Sequence, residues 1–282
     1  MTCPIDNENL LSICSFNILA PCYKRLSNEF DRESSYKSIW KQRHLSIIEL
    51  FESLRIDFIC LQEFWLDNKA FVDLYQSKLS SKYLFYSVRR TNNLDDGLAI
   101  FVNRNMFKVK DKVDFLLNDI GNRVGLLLHV EDNNGQSLLI LNIHLTFPHN
   151  TFDRRLRLTQ MKEFLRLLNE YRTTKNLFDQ CSIIICGDFN DASQNDPVYE
   201  FLLENEYQSS FSVVHSKEPQ VTHLTHRNEQ LGVDFIFYQS KCLRPISSQL
   251  IPHGCDLYQW NDSTNWNLSD HRAILTTFKS VG

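Results

Sequence analysis

The sequence predicts an α/β protein in which two packed sheets carry their helices on the outside. Three observations lead there. About a dozen short apolar runs bounded by turn residues read as strands. In the first third of the chain, strand, helix and strand follow one another, the pattern of a βαβ crossover. Farther along, strands joined by tight turns read as antiparallel, and their number favours two sheets over one doubly wound sheet. At 282 residues, 43% apolar and 23% charged, the chain can bury a sizeable core. No repeat, low-complexity tract or linker interrupts it, so one domain over residues 1–282 is expected.

The first strand is Leu10–Asn17, with Asn17 at its end. From Tyr36 to Leu54, Ile39, Trp40, Ile47, Ile48, Leu50, Phe51 and Leu54 recur at helical spacing. Ile56–Gln62 is then a buried strand, and Glu63 stands at its C-terminal end, where a carboxylate is no casual surface charge. A helix from about Asn68 to Leu79 precedes strands at Tyr83–Val88 and Leu98–Val102, separated by the turn residues Asn92–Gly97. Strands near Lys108–Leu116 and Arg123–Glu131 follow, then a hairpin turn at Asp132–Gly135. Ser137–Leu145 carries Asn142 and His144 on one face.

Phe152–Tyr171 is a long helix with Leu156, Leu158, Met161, Phe164, Leu165 and Leu168 as its apolar stripe. Arg154, Arg155 and Arg157 make its first turn basic, which opposes the helix dipole unless an anion is near. A bound phosphate would be such an anion; a solvated basic face is the plainer reading.

Ser182-Ile-Ile-Ile-Cys-Gly-Asp-Phe-Asn190, followed by Asp191-Ala-Ser-Gln, is a buried strand broken at Gly187. Asp188 and Asn190 are two residues apart, so strand alternation points both to one face. There they need water, a metal or a substrate, unless the segment is a solvated turn. A helix at about Pro197–Asn205 comes next. Strands follow at Val233–Tyr238 (carrying Asp234), Ile246–Pro252 and Ala273–Phe278, the last introduced by Ser269-Asp-His271.

Asn17, Glu63, His144, Asp188, Asn190, Asp234, Asp270 and His271 thus lie at or beside strand ends. Convergence would satisfy them together. Carboxylate and amide oxygens without cysteine suit Mg²⁺, with Mn²⁺ as the alternative, rather than zinc. Two histidines beside carboxylates add acid–base capacity, and the set fits metal-assisted hydrolysis of a phosphate ester.

Net charge of −4 excludes a histone-like polyanion binder but leaves a phosphate ligand open. Eight cysteines without a CxxC pair, no signal-peptide pattern at Met1–Asn9 and no membrane-length apolar run predict an intracellular, cytoplasmic protein without a membrane span. Asn261-Asp-Ser and Asn267-Leu-Ser match the glycosylation pattern and are read as chance matches.

In this order, Ser15-Phe-Asn-Ile-Leu-Ala20, Leu61-Gln-Glu63, Asn142-Ile-His-Leu145, Cys186-Gly-Asp-Phe-Asn190, Gly232-Val-Asp234 and Ser269-Asp-His271 resemble the endonuclease/exonuclease/phosphatase (DNase-I-like) superfamily. The resemblance spans almost the whole chain and implies a four-layer α/β/β/α sandwich. Asn17-Ile-Leu-Ala, Asp196-Pro-Val-Tyr-Glu-Phe-Leu202 and Arg157, three before Gln160, are similar to the branch of carbon-catabolite-repressor-type deadenylases, nocturnin and Angel proteins. Thr146-Phe-Pro-His-Asn-Thr151 departs from the corresponding deadenylase segment, so poly(A) preference stays open.

The resemblance implies that Glu63 binds Mg²⁺, with Asn17 and Asp270 completing the site. Asp188 would orient or deprotonate the attacking water, and Asn190 would hold a phosphate oxygen. His271 would donate to the scissile phosphate with Asp234 fixing its tautomer, and His144 would contact the phosphate or assist the leaving oxygen. Asn142 and Arg157 are expected to bind substrate. The function implied is a 3′-exoribonuclease of deadenylase type acting on RNA. The alternatives are a phosphatase or phosphodiesterase for a small phosphorylated molecule or phospholipid head group, and a catalytically silent binding module.

Overall fold

Strand β1 (Leu10–Asn17) and strand β2 (Phe58–Trp65) run parallel because helix α1 (Lys37–Ser53) crosses between them. Helix α2 (Lys69–Leu79) follows, started by Asn68, whose side chain accepts the Phe71 amide N–H. It leads to β3 (Tyr83–Arg89) and β4 (Asp96–Asn103). The chain then builds β5 (Phe107–Leu117), β6 (Arg123–Asp132) and β7 (Ser137–His144), and crosses by α3 (Asp153–Lys175) to β8 (Ser182–Asp188), parallel to β7. Next come α4 (Pro197–Glu204), β9 (Gln208–Ser209), α5 (Ser210–His215), β10 (His223–Leu224) and β11 (Gln230–Leu231). The last strands are β12 (Asp234–Gln239), β13 (Leu243–Ile251) and β14 (Ala273–Ser280). This computed structural model describes residues 10–150, 152–177, 181–190, 196–252, 260 and 266–281. Met1–Asn9, the Asp191-Ala-Ser-Gln stretch and the Asn261 sequon lie outside the described residues.

Two six-stranded sheets result, in the orders β13-β14-β1-β2-β4-β3 and β5-β6-β7-β8-β12-β9. Between them lie Ile13, Phe58, Cys60, Ile100, Leu126, Ile140, Ile184, Ile236 and Ile274. The other face of the first sheet packs Phe16, Ile59 and Leu61 against Ile47 and Phe51 of α1 and Phe71 and Tyr75 of α2. Leu127, Leu139 and Ile185 of the second sheet meet Met161, Phe164 and Leu168 of α3 and Val198 and Leu202 of α4. Helix, sheet, sheet, helix: the predicted four-layer sandwich of two mixed sheets is the architecture. Among the described residues, no helix is long and apolar enough to cross a membrane.

Strand alternation explains how this core ends in a polar rim. Ile140, Asn142 and His144 share the inner face of β7; Ile184, Cys186 and Asp188 share that of β8; Ile13, Ser15 and Asn17 share that of β1. Each series is apolar in mid-strand and polar at the C-terminal end. Strand β12 runs antiparallel to β8 and pairs Asp234 with Asp188, so its first residue reaches the same rim. Gly187 is needed for this close approach. A Cβ there would lie 1.9 Å from the Ile143 carbonyl oxygen, and its φ is +147°.

The structure adjusts several expected elements. Strand β2 continues past Gln62 to Trp65 because a bulge absorbs one residue between Leu61 and Phe64. Helix α3 runs to Lys175 and stops at Asn176, which takes a left-handed conformation (φ 55°). The short elements β9, α5, β10 and β11 span two to six residues, too few for a periodic signal.

Candidate active site

At the polar rim an open cavity of about 560 Å³ is lined by Glu63, His144, Asp188, Asn190, Asp270 and His271, together with Tyr23, Lys24, Arg25, Arg32, Arg90, Arg123, His149, His223 and His226 among others. Asp188 is its hub. Its Oδ2 accepts Asn17 Nδ2–H at 3.0 Å and lies 3.5 Å from His144 Nε2 and 3.7 Å from His271 Nε2. Its Oδ1 accepts the Asn190 amide N–H at 2.9 Å. Asn190 itself has φ 49°, so a local side-chain-to-backbone bond, not continued strand alternation, brings it to the rim. Its Nδ2 donates to the Leu145 carbonyl at 3.0 Å.

Glu63 reaches the cavity by an irregularity. Phe58 and Cys60 face the inner core whereas Ile59 and Leu61 face the helices, so regular alternation would send Glu63 toward the helices. The β2 bulge, with Glu63 at φ 55°, turns it into the cavity instead. There its Oε1 accepts Asn17 Nδ2–H at 3.2 Å and its Oε2 accepts the Ala20 amide N–H at 3.1 Å. Burial, with the Asp270 and Asp96 charges, pushes its carboxyl up to about 7.

Asn142 explains the bulge and corrects one expectation. It is fully buried between the sheets and does not line the cavity. Its Nδ2 donates to the carbonyls of Leu61 (2.9 Å) and Ala99 (3.1 Å), and its Oδ1 accepts from Gln62 Nε2 at 2.7 Å. It therefore satisfies backbone groups beside the irregular pairing rather than a substrate. Arg157 is a second correction. Its Nη1 donates to the Thr146 carbonyl at 3.3 Å, its Nη2 lies 3.8 Å from Asp196 Oδ2, and it too is outside the cavity lining. The basic first turn of α3 is met by protein carboxylates, Asp153 within the turn and Asp196, 3.4 Å from Arg154.

His271 Nδ1 is 2.9 Å from Asp234 Oδ2. Burial alone would lower its pKa, but the Asp234 and Asp188 carboxylates outweigh that and push it up to about 10. The opposite holds for His144: burial, then the Arg123 and Arg90 charges, hold it well below the usual histidine range, and its Nδ1 has no hydrogen-bond partner. Asp188 is raised, first by burial and against the pull of His271. Asp270 is lowered to about 2, because contacts with His223 and the His271 charge overcome its burial. The rim therefore holds a charged and a neutral histidine either side of one carboxylate.

Arg43 of α1 builds the frame behind these groups. Its Nε donates to Glu33 at 2.8 Å, its Nη1 to the carbonyls of Ile18 (2.8 Å) and Leu268 (2.7 Å), and its Nη2 to that of Leu19 (2.8 Å). Ser269 Oγ donates to the Asn17 carbonyl at 2.7 Å and accepts the His271 amide N–H at 3.1 Å. The segments carrying Asn17 and Asp270–His271 are thus tied together.

Among the described residues, two clusters of close donor atoms could hold a cation, His223/Asp270/His271 and Asp188/Asp234/His271. Both rely on His271, whose hydrogen bond to Asp234 and raised pKa make it an imidazolium donor instead. The carboxylates Glu63 and Asp270 are the better pair, and Asn17 would join them by turning toward the ion its Oδ1, which here accepts the Leu19 amide N–H at 3.0 Å. Glu63 and Asp270 repel one another across the cavity, a strain that a hard divalent ion relieves.

Sequence reasoning missed His223, Arg90 and Arg123. The His223 ring stacks on His271 with centroids 4.0 Å apart, and its Nε2 lies 3.6 Å from Asp270 Oδ2. It sits in a two-residue strand, and the two arginines sit just outside β3 and at the start of β6, where cations are ordinarily solvated.

The fold and the rim of paired histidines and carboxylates define a hydrolase domain of the phosphoesterase class. The chain belongs to the Endonuclease/Exonuclease/phosphatase family, whose model matches residues 14–271. It is 38% identical over 248 residues to an uncharacterized calcium-binding protein of Arabidopsis thaliana, covering 82% of this chain and 51% of that protein. It is 25% identical over 307 residues to a probable CCR4-Not complex 3′-5′-exoribonuclease subunit of Vairimorpha ceranae, covering 91% of this chain and 63% of that one. The chain thus spans about half to two-thirds of these relatives. Among solved structures, ANGEL2, described as a 2′,3′-cyclic phosphatase, superposes with TM-score 0.77 at 21% identity, covering 96% of each chain. The human nocturnin catalytic domain gives TM-score 0.74 at 22% identity over 97% of this chain and 94% of that one. The expected placement beside the CCR4, Angel and nocturnin branch stands.

Proposed function

We propose that residues 1–282 form one catalytic domain of a Mg²⁺-dependent phosphodiesterase that removes nucleotides from the 3′ end of RNA. The observation that carries phosphoester hydrolysis is the arrangement on Asp188 Oδ2, reached by Asn17, His144 and His271 in a cavity that also holds Glu63 and Asp270. RNA is supported by the similarity to a CCR4-Not exoribonuclease subunit.

Glu63, Asn17 and Asp270 would hold the ion, with Mn²⁺ as the alternative. Bound there, it would neutralise phosphate charge and stabilise the charge that develops in the transition state. Asp188, raised by burial, is suited to accept a proton from an attacking water. His271, held as an imidazolium by Asp234, donates to a phosphate oxygen. Asn190 keeps one amide hydrogen for the same phosphate after serving Leu145. His144, neutral, contacts the phosphate or the leaving oxygen.

A second reading, hydrolysis of a small phosphorylated molecule, is favoured by the cavity's volume of about 560 Å³, within the range of small-ligand sites. One time course separates the two. RNA labelled at its 5′ end, with and without a 3′ A-run, is compared with DNA and a small-phosphate panel in Mg²⁺, Mn²⁺, Ca²⁺ or chelator. The expected result is a chelator-sensitive 3′ ladder on RNA, slowed on the order of 10³-fold by Asp188→Ala. RNA that stays intact while the panel releases phosphate moves the function to the second reading.

A further inference from the structure

A guanidinium buried without an acceptor marks a place for an anion. Arg123, first residue of β6, is only 7% exposed, yet its Nε and Nη1 have no hydrogen-bond partner. Among the described residues no carboxylate oxygen lies within 4.0 Å of it, although the cavity it lines holds several carboxylates. Arg90 stands beside it. Arg90 Nε donates to the carbonyl of Asn122, the residue before Arg123, at 3.5 Å, and its Nη1 lies 3.3 Å from Asp96 Oδ1. Asp96 also accepts from Tyr23 Oη at 2.7 Å, so one carboxylate is shared between a phenol and one of two arginines. Among the described residues, only one shared carboxylate is within hydrogen-bond reach of the pair, with Asp188 and Glu63 acting on Arg123 from farther off.

The charge of the pair is felt by its neighbours. Burial and the Arg90 charge pull Arg123 down to about 10, and both arginines depress His144. Arg123 and Arg90 line the same cavity as His144, while Asp270 and His223 cluster with His271. An oxyanion in the cavity that Arg123 and Arg90 both line would sit against their charge and relieve the like-charge repulsion.

We propose that Arg123 and Arg90 form a second anion subsite, which takes the phosphate next to the scissile linkage on its 5′ side in an oligonucleotide. This rests on the exoribonuclease reading above. A linkage cut at a free 3′ end has further phosphates on one side only, the 5′ side. The subsite gives the enzyme a reason to prefer a chain over a lone phosphomonoester, and it does so without reading the base.

The test is binding without hydrolysis. A dinucleotide bearing a 5′-phosphate and its 5′-hydroxyl counterpart are titrated into chelator-treated protein, alongside inorganic pyrophosphate and inorganic phosphate. The 5′-phosphate is expected to tighten wild-type binding on the order of tenfold, an effect that fades with added salt. Arg123→Gln and Arg90→Gln should each reduce that preference, and Arg123→Lys should restore part of it. A wild-type protein indifferent to the 5′-phosphate overturns the subsite, as does a preference that survives both glutamine substitutions. A pyrophosphate-over-phosphate preference lost in Arg123→Gln, with no dinucleotide preference, overturns the RNA form and gives the subsite to a small bisphosphate. Because no turnover is read, failure of the exoribonuclease reading shows separately, as RNA left intact in the time course.

Discussion

Strand β2 has a carboxylate at each end, and the two are treated in opposite ways. Asp57, just before the strand, is 5% exposed and closed on all sides. Its Oδ2 accepts the Ser12 amide N–H at 2.9 Å and Ser12 Oγ at 2.8 Å, and its Oδ1 accepts Asn103 Nδ2–H at 3.0 Å. Glu63, near the other end, is turned by a bulge into a cavity where Arg123, His144, His223 and Asp234 keep buried polar atoms without partners. Two of the buried arginines repeat the contrast. Arg43 donates to Glu33 and to three backbone carbonyls, whereas Arg123 has no acceptor for Nε or Nη1. Burial does not distinguish structure from function here. At these two pairs satisfaction does: the closed partners fix the fold, and the open ones lie at the cavity.

The largest effect on this comparison should come from opening the closed side. Arg43→Ala leaves Glu33 charged and buried, so denaturant unfolding is expected to show a loss of about 3–5 kcal/mol. Turnover should fall as well, since the freed Ile18, Leu19 and Leu268 carbonyls lie in the segments that carry Asn17 and Asp270. A loss below 1 kcal/mol would break the distinction between the two arginines. Asp57→Ala should cost less, about 1–3 kcal/mol, by leaving Ser12 and Asn103 unpaired. Its kcat on whatever phosphoester the enzyme cleaves should match wild type, because Asp57 lies at the opposite end of β2.

The open end should be sensitive to pH in its metal affinity. Glu63 sits near 7, so below that pH its carboxyl is protonated and an incoming ion must displace the proton. Mg²⁺ affinity, measured calorimetrically, is expected to be about tenfold weaker at pH 6 than at pH 8. Glu63→Gln should flatten that dependence. Affinity that rises as pH falls would remove Glu63 from the proposed ligand set.

Much of this contrast can be read in the chain before folding. Runs such as Ser182–Cys186 identify strands because alternation is local, and polar residues beyond the last inner apolar one are visible at Asp188, two positions after Cys186, and at Asn142 and His144, two and four positions after Ile140. The βαβ start, the antiparallel middle and the rim residues follow from those patterns. The closed network is harder to see, because its members are scattered: Ser12 meets Asp57, and Arg43 meets Leu268.

The sequence by itself therefore determined the long strands, the two-sheet class, the family motifs and most of the polar strand ends. These depend on spacing within a few residues. Only the tertiary structure decided that the β2 bulge presents Glu63, that Asn142 braces the pairing beside it, and that Asp153 and Asp196 answer the basic turn of α3. It also decided that Arg123 is buried without an acceptor. The physical reason is that a hydrogen bond is satisfied in space, by residues as far apart as Asn17 and Asp188, and periodicity carries no record of such partners.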